Sequence, residues 1–195
     1  MQEFKETLQK AERTESKLRK WMLVLGFITK KMEEQKLKPP IIVGGSAVMF
    51  YTLEHYITYD LDLVCEDREK LEHLLGNLRF KKVGRHWILP EVDLAIEIPS
   101  TTLERVAYNK LRKIKLDDSQ VSIIGLEDLI LDRLNAYKYW KSEADRDQAL
   151  MVTAGNYQDI DWIYLRKKAK KEELEPELLE VKKKAEIALR KVKRS

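Results

Sequence analysis

Asp60 and Asp62 stand two residues apart in Tyr59-Asp60-Leu61-Asp62-Leu63-Val64, where the alternating apolar residues predict a β-strand. Residues two apart on a strand project to the same face, so the two carboxylates share one side with their backbones about 6.5–7 Å apart. Such a pair suits a divalent cation held jointly by protein and nucleotide phosphates. Upstream, Ile41-Ile42-Val43 predicts a short strand and Gly44-Gly45-Ser46 a tight turn, with 13 residues between Ser46 and Asp60. The glycines let the backbone approach a ligand closely. Ser46 is expected to cap the helix that begins there and to leave N–H groups facing an anion such as a phosphate. An acidic-x-acidic pair alone is commonplace. The full order of strand, Gly-Gly-Ser, helix and acidic strand points to phosphoryl transfer.

Several elements must position these residues. Residues 1 to 37 read as helix, with Phe4, Leu8, Ala11, Leu18, Met22, Leu25, Ile28 and Met32 recurring at helical spacing until Pro39-Pro40 stops it. Beyond the acidic strand, Asp67 is expected to cap a helix that buries Leu71, Leu74, Leu75 and Leu78. Phe80 to Leu89 reads as one arm of a hairpin, Pro90-Glu91 as its turn and Val92 to Ile98 as the returning strand. On that strand Leu94, Ile96 and Ile98 share the core face, and Asp93, Ala95 and Glu97 share the other. A short helix over 103–110 and a hairpin of Lys113–Leu116 with Val121–Ile124 follow. The rest reads as helices: one through Leu129–Tyr137, one capped by Ser142 and closed by Gly155, one starting near Gln158-Asp159, and a last one from Glu177 to about Lys193.

Gly45-Ser46 followed by Asp60-Leu61-Asp62 resembles the signature of the nucleotidyltransferase superfamily that includes DNA polymerase beta. Val43–Val48 and Thr58–Val64 are most similar to its small prokaryotic members, the minimal nucleotidyltransferases and the abortive-infection type toxins of toxin–antitoxin pairs. The likeness is good over residues 40 to 100, weaker over 120 to 165, and absent from the last thirty. It implies Mg²⁺ (or Mn²⁺) on Asp60 and Asp62, with triphosphate against Gly44, Gly45 and Ser46. It also implies a third carboxylate on a neighbouring strand, which helps hold a second metal and acts on the attacking hydroxyl. Two metals about 3.5–4 Å apart would stabilise both the entering and leaving oxygens. Asp93 and Glu97 lie about 13 Å apart along a strand, so only one can serve. The apolar-Asp-apolar wording favours Asp93, with Glu97 the alternative. Glu127-Asp128-Leu129-Ile130, Arg133-Leu134-x-Ala136 and Arg146-Asp147 resemble the helical half of the abortive-infection type enzymes. That likeness implies Arg133, Lys138 and Arg146 as phosphate-binding residues. Leu150 and Met151 stand where a further acidic residue commonly follows.

Composition narrows the setting. No apolar run is long enough for a membrane span, and the first residues are charged rather than signal-like. The single cysteine, Cys65, excludes an internal disulfide framework and suits a reducing cytoplasm, where it reads as a small buried hydrophobe. His55, His73 and His86 show no zinc-ligand spacing, and His86, between Arg85 and Trp87, reads as a surface strand histidine. Rossmann and P-loop glycine motifs are absent. Net charge is +4, and residues 166 to 195, with twelve basic and six acidic residues, carry more than all of it. Attraction to nucleic acid therefore belongs to the tail.

The expected fold is α+β: a small mixed sheet flanked by helices, with a C-terminal helical subdomain. Its expected parts are an N-terminal helical segment (1–38), a catalytic core (39–125), a helical subdomain (126–170) and a basic helix (171–195). The expected activity is metal-dependent transfer of a nucleoside monophosphate from an NTP to an acceptor hydroxyl. That acceptor is a protein side chain, a tRNA end or a small molecule, with a cognate antitoxin or a second copy as partner. The alternatives are a catalytically inert binding module of the same fold and an RNA-binding protein using the basic tail.

Overall fold

The computed structural model describes residues 2–103 and 108–192. The mixed α/β chain divides into two compact units, Met1–Phe50 with Ile57–Ile124, and Tyr51–Tyr56 with Gly125–Ser195. The first holds α1 (Gln2–Glu12), α2 (Lys17–Glu34), β1 (Ile41–Ile42), α3 (Gly44–Tyr51), β2 (Leu61–Val64) and α4 (Arg68–Asn77). It continues with β3 (Lys81–Val83), β4 (His86–Leu89), β5 (Leu94–Ser100), β6 (Arg112–Leu116) and β7 (Ser119–Ile123). The strands form one sheet in the order β3-β4-β5-β2-β1-β7-β6. Two neighbouring pairs, β1 with β7 and β2 with β5, run parallel, and the others antiparallel.

Leu61 and Leu63 of β2 and Leu94, Ile96 and Ile98 of β5 are buried, so the period-two pattern sends one face of each strand into the core. Trp21, Leu25, Ile28 and Met32 form the buried stripe of α2, and Phe4 of α1 meets Phe27 with ring centroids 5.1 Å apart. The expected single N-terminal helix is therefore two. Ser16 ends the interruption: in extended backbone, its side chain accepts the Arg19 N–H at 3.0 Å and starts α2.

Local corrections follow the same physics. Asp67 precedes α4 without capping it, because its Oδ2 accepts the Lys38 N–H at 2.8 Å. The arm expected over Phe80–Leu89 is broken at Gly84 (φ +59) into a tight hairpin of β3 and β4. Pro90–Val92 is a 3-10 turn, and β5 starts only at Leu94. Of the helix expected over 103–110, residues 104–107 lie outside the described residues, and Tyr108–Lys110 form a 3-10 turn.

The second unit contains α5 (Leu126–Trp140), α6 (Glu143–Gly155), α7 (Trp162–Lys171) and α8 (Glu175–Val192). Ser142 caps α6 as expected, and Asp161 caps α7 by accepting the Tyr164 N–H at 3.0 Å. Leu178, Val181 and Ala185 of α8 are buried among these helices. Asp128 is buried too, and its Oδ1 meets Lys168 Nζ at 2.6 Å and the Tyr164 hydroxyl at 2.8 Å. Among the described residues, no helix is long and apolar enough to cross a membrane.

Replacing the Ser16 cap by alanine should lower the stability of the sheet-containing unit by about 1 kcal/mol. Urea unfolding checks this through a reduced midpoint with an unchanged slope.

Candidate active site

Gly44 opens α3 directly after β1, with φ of +57. A side chain cannot be accommodated there, since a Cβ would fall on the Asp62 carboxylate. Close approach follows from a set of hydrogen bonds between this turn and β2. The Gly45 N–H donates to Asp62 Oδ2 at 3.0 Å. The Ser46 hydroxyl donates to the Val43 carbonyl at 2.9 Å and accepts the Asp62 N–H at 3.1 Å. Ser46 is fully buried, so its hydroxyl fastens the turn to β2 instead of capping α3 or facing solvent. The first N–H groups of α3, expected to face a phosphate, are directed at a carboxylate of the chain itself.

The sheet register brings the other groups to Asp62. On the parallel neighbour β5, Glu97 lies opposite Asp62, and on β4 His86 lies opposite Glu97. Partners in register share a face. Asp60, just before β2, completes the group. His86 Nε2 is 3.3 Å from Asp60 Oδ2 and 3.5 Å from Glu97 Oε2. The Thr58 hydroxyl donates to Asp60 Oδ1 at 3.1 Å, and Arg85 Nε lies 3.2 Å from Glu97 Oε2. One ligand atom from each of Asp60, His86 and Glu97 lies within 4.8 Å of the others. Among the described residues this is the one cluster of three such groups within reach of a single cation.

These charges act on one another. Burial, and after it the charge on Asp60, pushes the Asp62 carboxyl up to about 6. The Gly45 N–H opposes the shift, and Glu97 adds to it. Three carboxylates beside a helix N-terminus form a donor set chemically suited to a divalent cation. Such an ion would supply the countercharge that the rise in the Asp62 pKa calls for.

The other residues singled out from the sequence have settings of their own. Asp93, favoured as the third carboxylate, is not on β5. It ends the Pro90–Val92 turn in the left-handed conformation (φ +49), with its carboxylate 94% exposed and 3.7 Å from Lys17 Nζ. The Trp21 indole donates to its carbonyl at 3.1 Å. The face shared by Asp93, Ala95 and Glu97 therefore starts only at Ala95. Arg133, Lys138 and Arg146 belong to the helical unit. Arg133 is held by Asp145 at 2.7 Å, by Asp132 and by Gln148. Lys138 donates to the Glu173 carbonyl, and Arg146 pairs with Glu143 and Asp147. Sequence reasoning missed that His86 joins Asp60 and Glu97 in this cluster. The signal was Gly84, a positive-φ turn residue two positions earlier, which starts a new strand at His86.

The mixed sheet gathers Asp60, Asp62 and Glu97 beside a glycine turn. The chain belongs to the family described as "Nucleotidyltransferase of unknown function (DUF6036)", which matches residues 19–194. No curated protein matches it.

Two outcomes test this geometry. Gly44→Ala combines a left-handed backbone with a collision against Asp62, and should cost about 2 kcal/mol or more in urea unfolding. Asp62 holds its proton more tightly folded than unfolded, so its contribution to metal-free stability is full below about pH 4 and is lost as pH rises through about 6. Asp62→Asn should therefore match the wild type near pH 3.5. At pH 7.5 without metal it should exceed the wild type by up to about 3 kcal/mol, read as a midpoint difference across a pH series.

Proposed function

We propose that this protein transfers a nucleoside monophosphate from an NTP to an acceptor hydroxyl, using Asp60, Asp62 and Glu97. The observation that carries the reading is the register of β2 against β5, which pairs Asp62 with Glu97 and leaves both beside Asp60. Structural residues tolerate such like-charge proximity poorly, and it is useful where a cation and a triphosphate must be bound together. A bound Mg²⁺ or Mn²⁺ would neutralise the triphosphate and stabilise charge developing on the oxygens around the α-phosphorus.

The chain's own residues supply the rest. Asp60 and Asp62, together with Glu97, would hold the cation. Thr58 steadies Asp60 through Oδ1, and Gly45 steadies Asp62 through Oδ2. The positive end of α3 favours negative charge at this spot. Glu97 takes the proton from the acceptor hydroxyl as its oxygen bonds to the α-phosphorus. The bond from that phosphorus to the bridging oxygen breaks, and pyrophosphate leaves. The acceptor is a protein side chain, an RNA end or a small molecule, and a toxin–antitoxin setting accommodates each of these. The phosphate-binding role suggested for Arg133, Lys138 and Arg146 is not part of this reading, because each is engaged by partners in the helical unit.

The test is a transfer assay with each α-³²P-labelled NTP and Mg²⁺ or Mn²⁺, run against total tRNA and total protein. Glu97→Gln and Asp62→Asn should each reduce labelling on the order of 100-fold or more. Asp93→Asn, at an exposed carboxylate, should leave labelling within about twofold of the wild type. Equal loss in the Asp93 and Glu97 variants would sink the assignment of the third carboxylate.

A further inference from the structure

The contacts of His86 are unusual for a surface histidine. One ring nitrogen, Nε2, faces two carboxylate oxygens from separate parts of the chain, at 3.3 Å from Asp60, just before β2, and 3.5 Å from Glu97 on β5. Both separations exceed the roughly 2.9 Å of a well-made N–H···O bond, and a single N–H cannot point well at both oxygens. The separations are close to the about 3 Å edge between neighbouring ligands of an octahedral ion with bonds of about 2.1 Å. The third edge, Asp60 to Glu97, is at most 4.8 Å. All three side chains are partly exposed, at 26–30% for Asp60 and His86 and 16% for Glu97, so an ion can enter from solvent.

We propose that His86 Nε2 is a direct ligand, with Asp60 and Glu97, of the divalent cation bound here, and that this makes the site selective for Mn²⁺ over Mg²⁺. The inference rests on the nucleotidyltransferase reading for the ion's purpose, but its ligand set stands on the three side chains alone. Mg²⁺ prefers oxygen donors and keeps its waters, so an imidazole adds little to its binding. Imidazole nitrogen suits transition ions, and Mn²⁺ among them also takes carboxylate and phosphate oxygens readily. One nitrogen with two carboxylates, beside a triphosphate, matches that mixed preference. In the metal-free protein Arg85 and His86 stand against Glu97, and Thr58 and His86 against Asp60. Ion binding requires a neutral His86 with its Nε2 lone pair free, so the ring proton must reside on Nδ1.

The test uses the full chain with Mn²⁺ alone, without nucleotide. Pulsed electron paramagnetic resonance should show a directly bonded nitrogen, whose coupling changes when histidine is labelled with ¹⁵N. In His86→Gln that coupling should vanish and Mn²⁺ affinity fall about tenfold or more, with Mg²⁺ affinity changed by no more than about twofold. The wild-type spectrum is informative even if the variant folds poorly. A bound Mn²⁺ lacking nitrogen coupling, a coupling that survives in His86→Gln, or no Mn²⁺ binding without nucleotide would each overturn the proposal. Those results would leave transfer by a carboxylate-only site intact. Nitrogen coupling with no transfer to any acceptor would instead retain the ligand set and count against the transfer reading.

Discussion

Asp62 and Ser46 lock a glycine turn onto the middle of a sheet, and the candidate chemistry depends on that lock. Asp62 gives its N–H to the Ser46 hydroxyl and receives the Gly45 N–H on its side chain, while Ser46 also holds the Val43 carbonyl. Three hydrogen bonds thus join the end of β1, the start of α3 and the start of β2. They only form if position 44 has no side chain, because the Asp62 carboxylate occupies the space that a Cβ would need. The consequence is electrostatic. A carboxylate drawn under a turn loses water, and its neighbours on β5 and before β2 bear the same sign. The fold accepts a partly buried negative cluster that an apolar sheet would avoid, which makes sense for a site that takes up a cation.

Much of this was legible in the sequence, because the informative patterns are short and local. Leu94, Ile96 and Ile98 alternate and are buried, and Gly44-Gly45 opens a helix. Choosing between Asp93 and Glu97 failed to be local. Both lie on an uninterrupted alternation, and only the left-handed φ at Asp93, after a 3-10 turn begun by Pro90, removes it from the strand. His86 was hidden for a related reason. Its meaning depends on a hairpin at Gly84 and on a register three strands wide, neither of which has a residue spacing that announces it.

In the helical unit, charged residues that carry the likeness are bonded to partners within the unit. Glu127 and Asp128 carried part of the resemblance, yet both are buried and bonded within that unit. Glu127 accepts the Asp161 N–H at 2.7 Å, where α7 begins, and Asp128 is tied to Lys168 and Tyr164. Arg133 likewise bridges α5 to Asp145 and Gln148 of α6. A charged residue at a helix junction and one awaiting a phosphate look alike in sequence, since the difference lies in what surrounds the head group. The basic balance of the last thirty residues is similarly compatible with a helix that buries Leu178, Val181 and Ala185 among its neighbours.

The central claim is that Asp60, Asp62 and Glu97 act on one cation and one nucleotide. The most direct measurement is a crystal structure of the full chain with Mn²⁺ and a non-hydrolysable NTP analogue, with the ion located by its anomalous scattering. The account predicts an anomalous peak bounded by Asp60 and Glu97, with the α-phosphate of the analogue against it and Arg85 drawn away from Glu97. Nucleotide and ion bound at another place, with Glu97 still paired to Arg85 and His86, would contradict it.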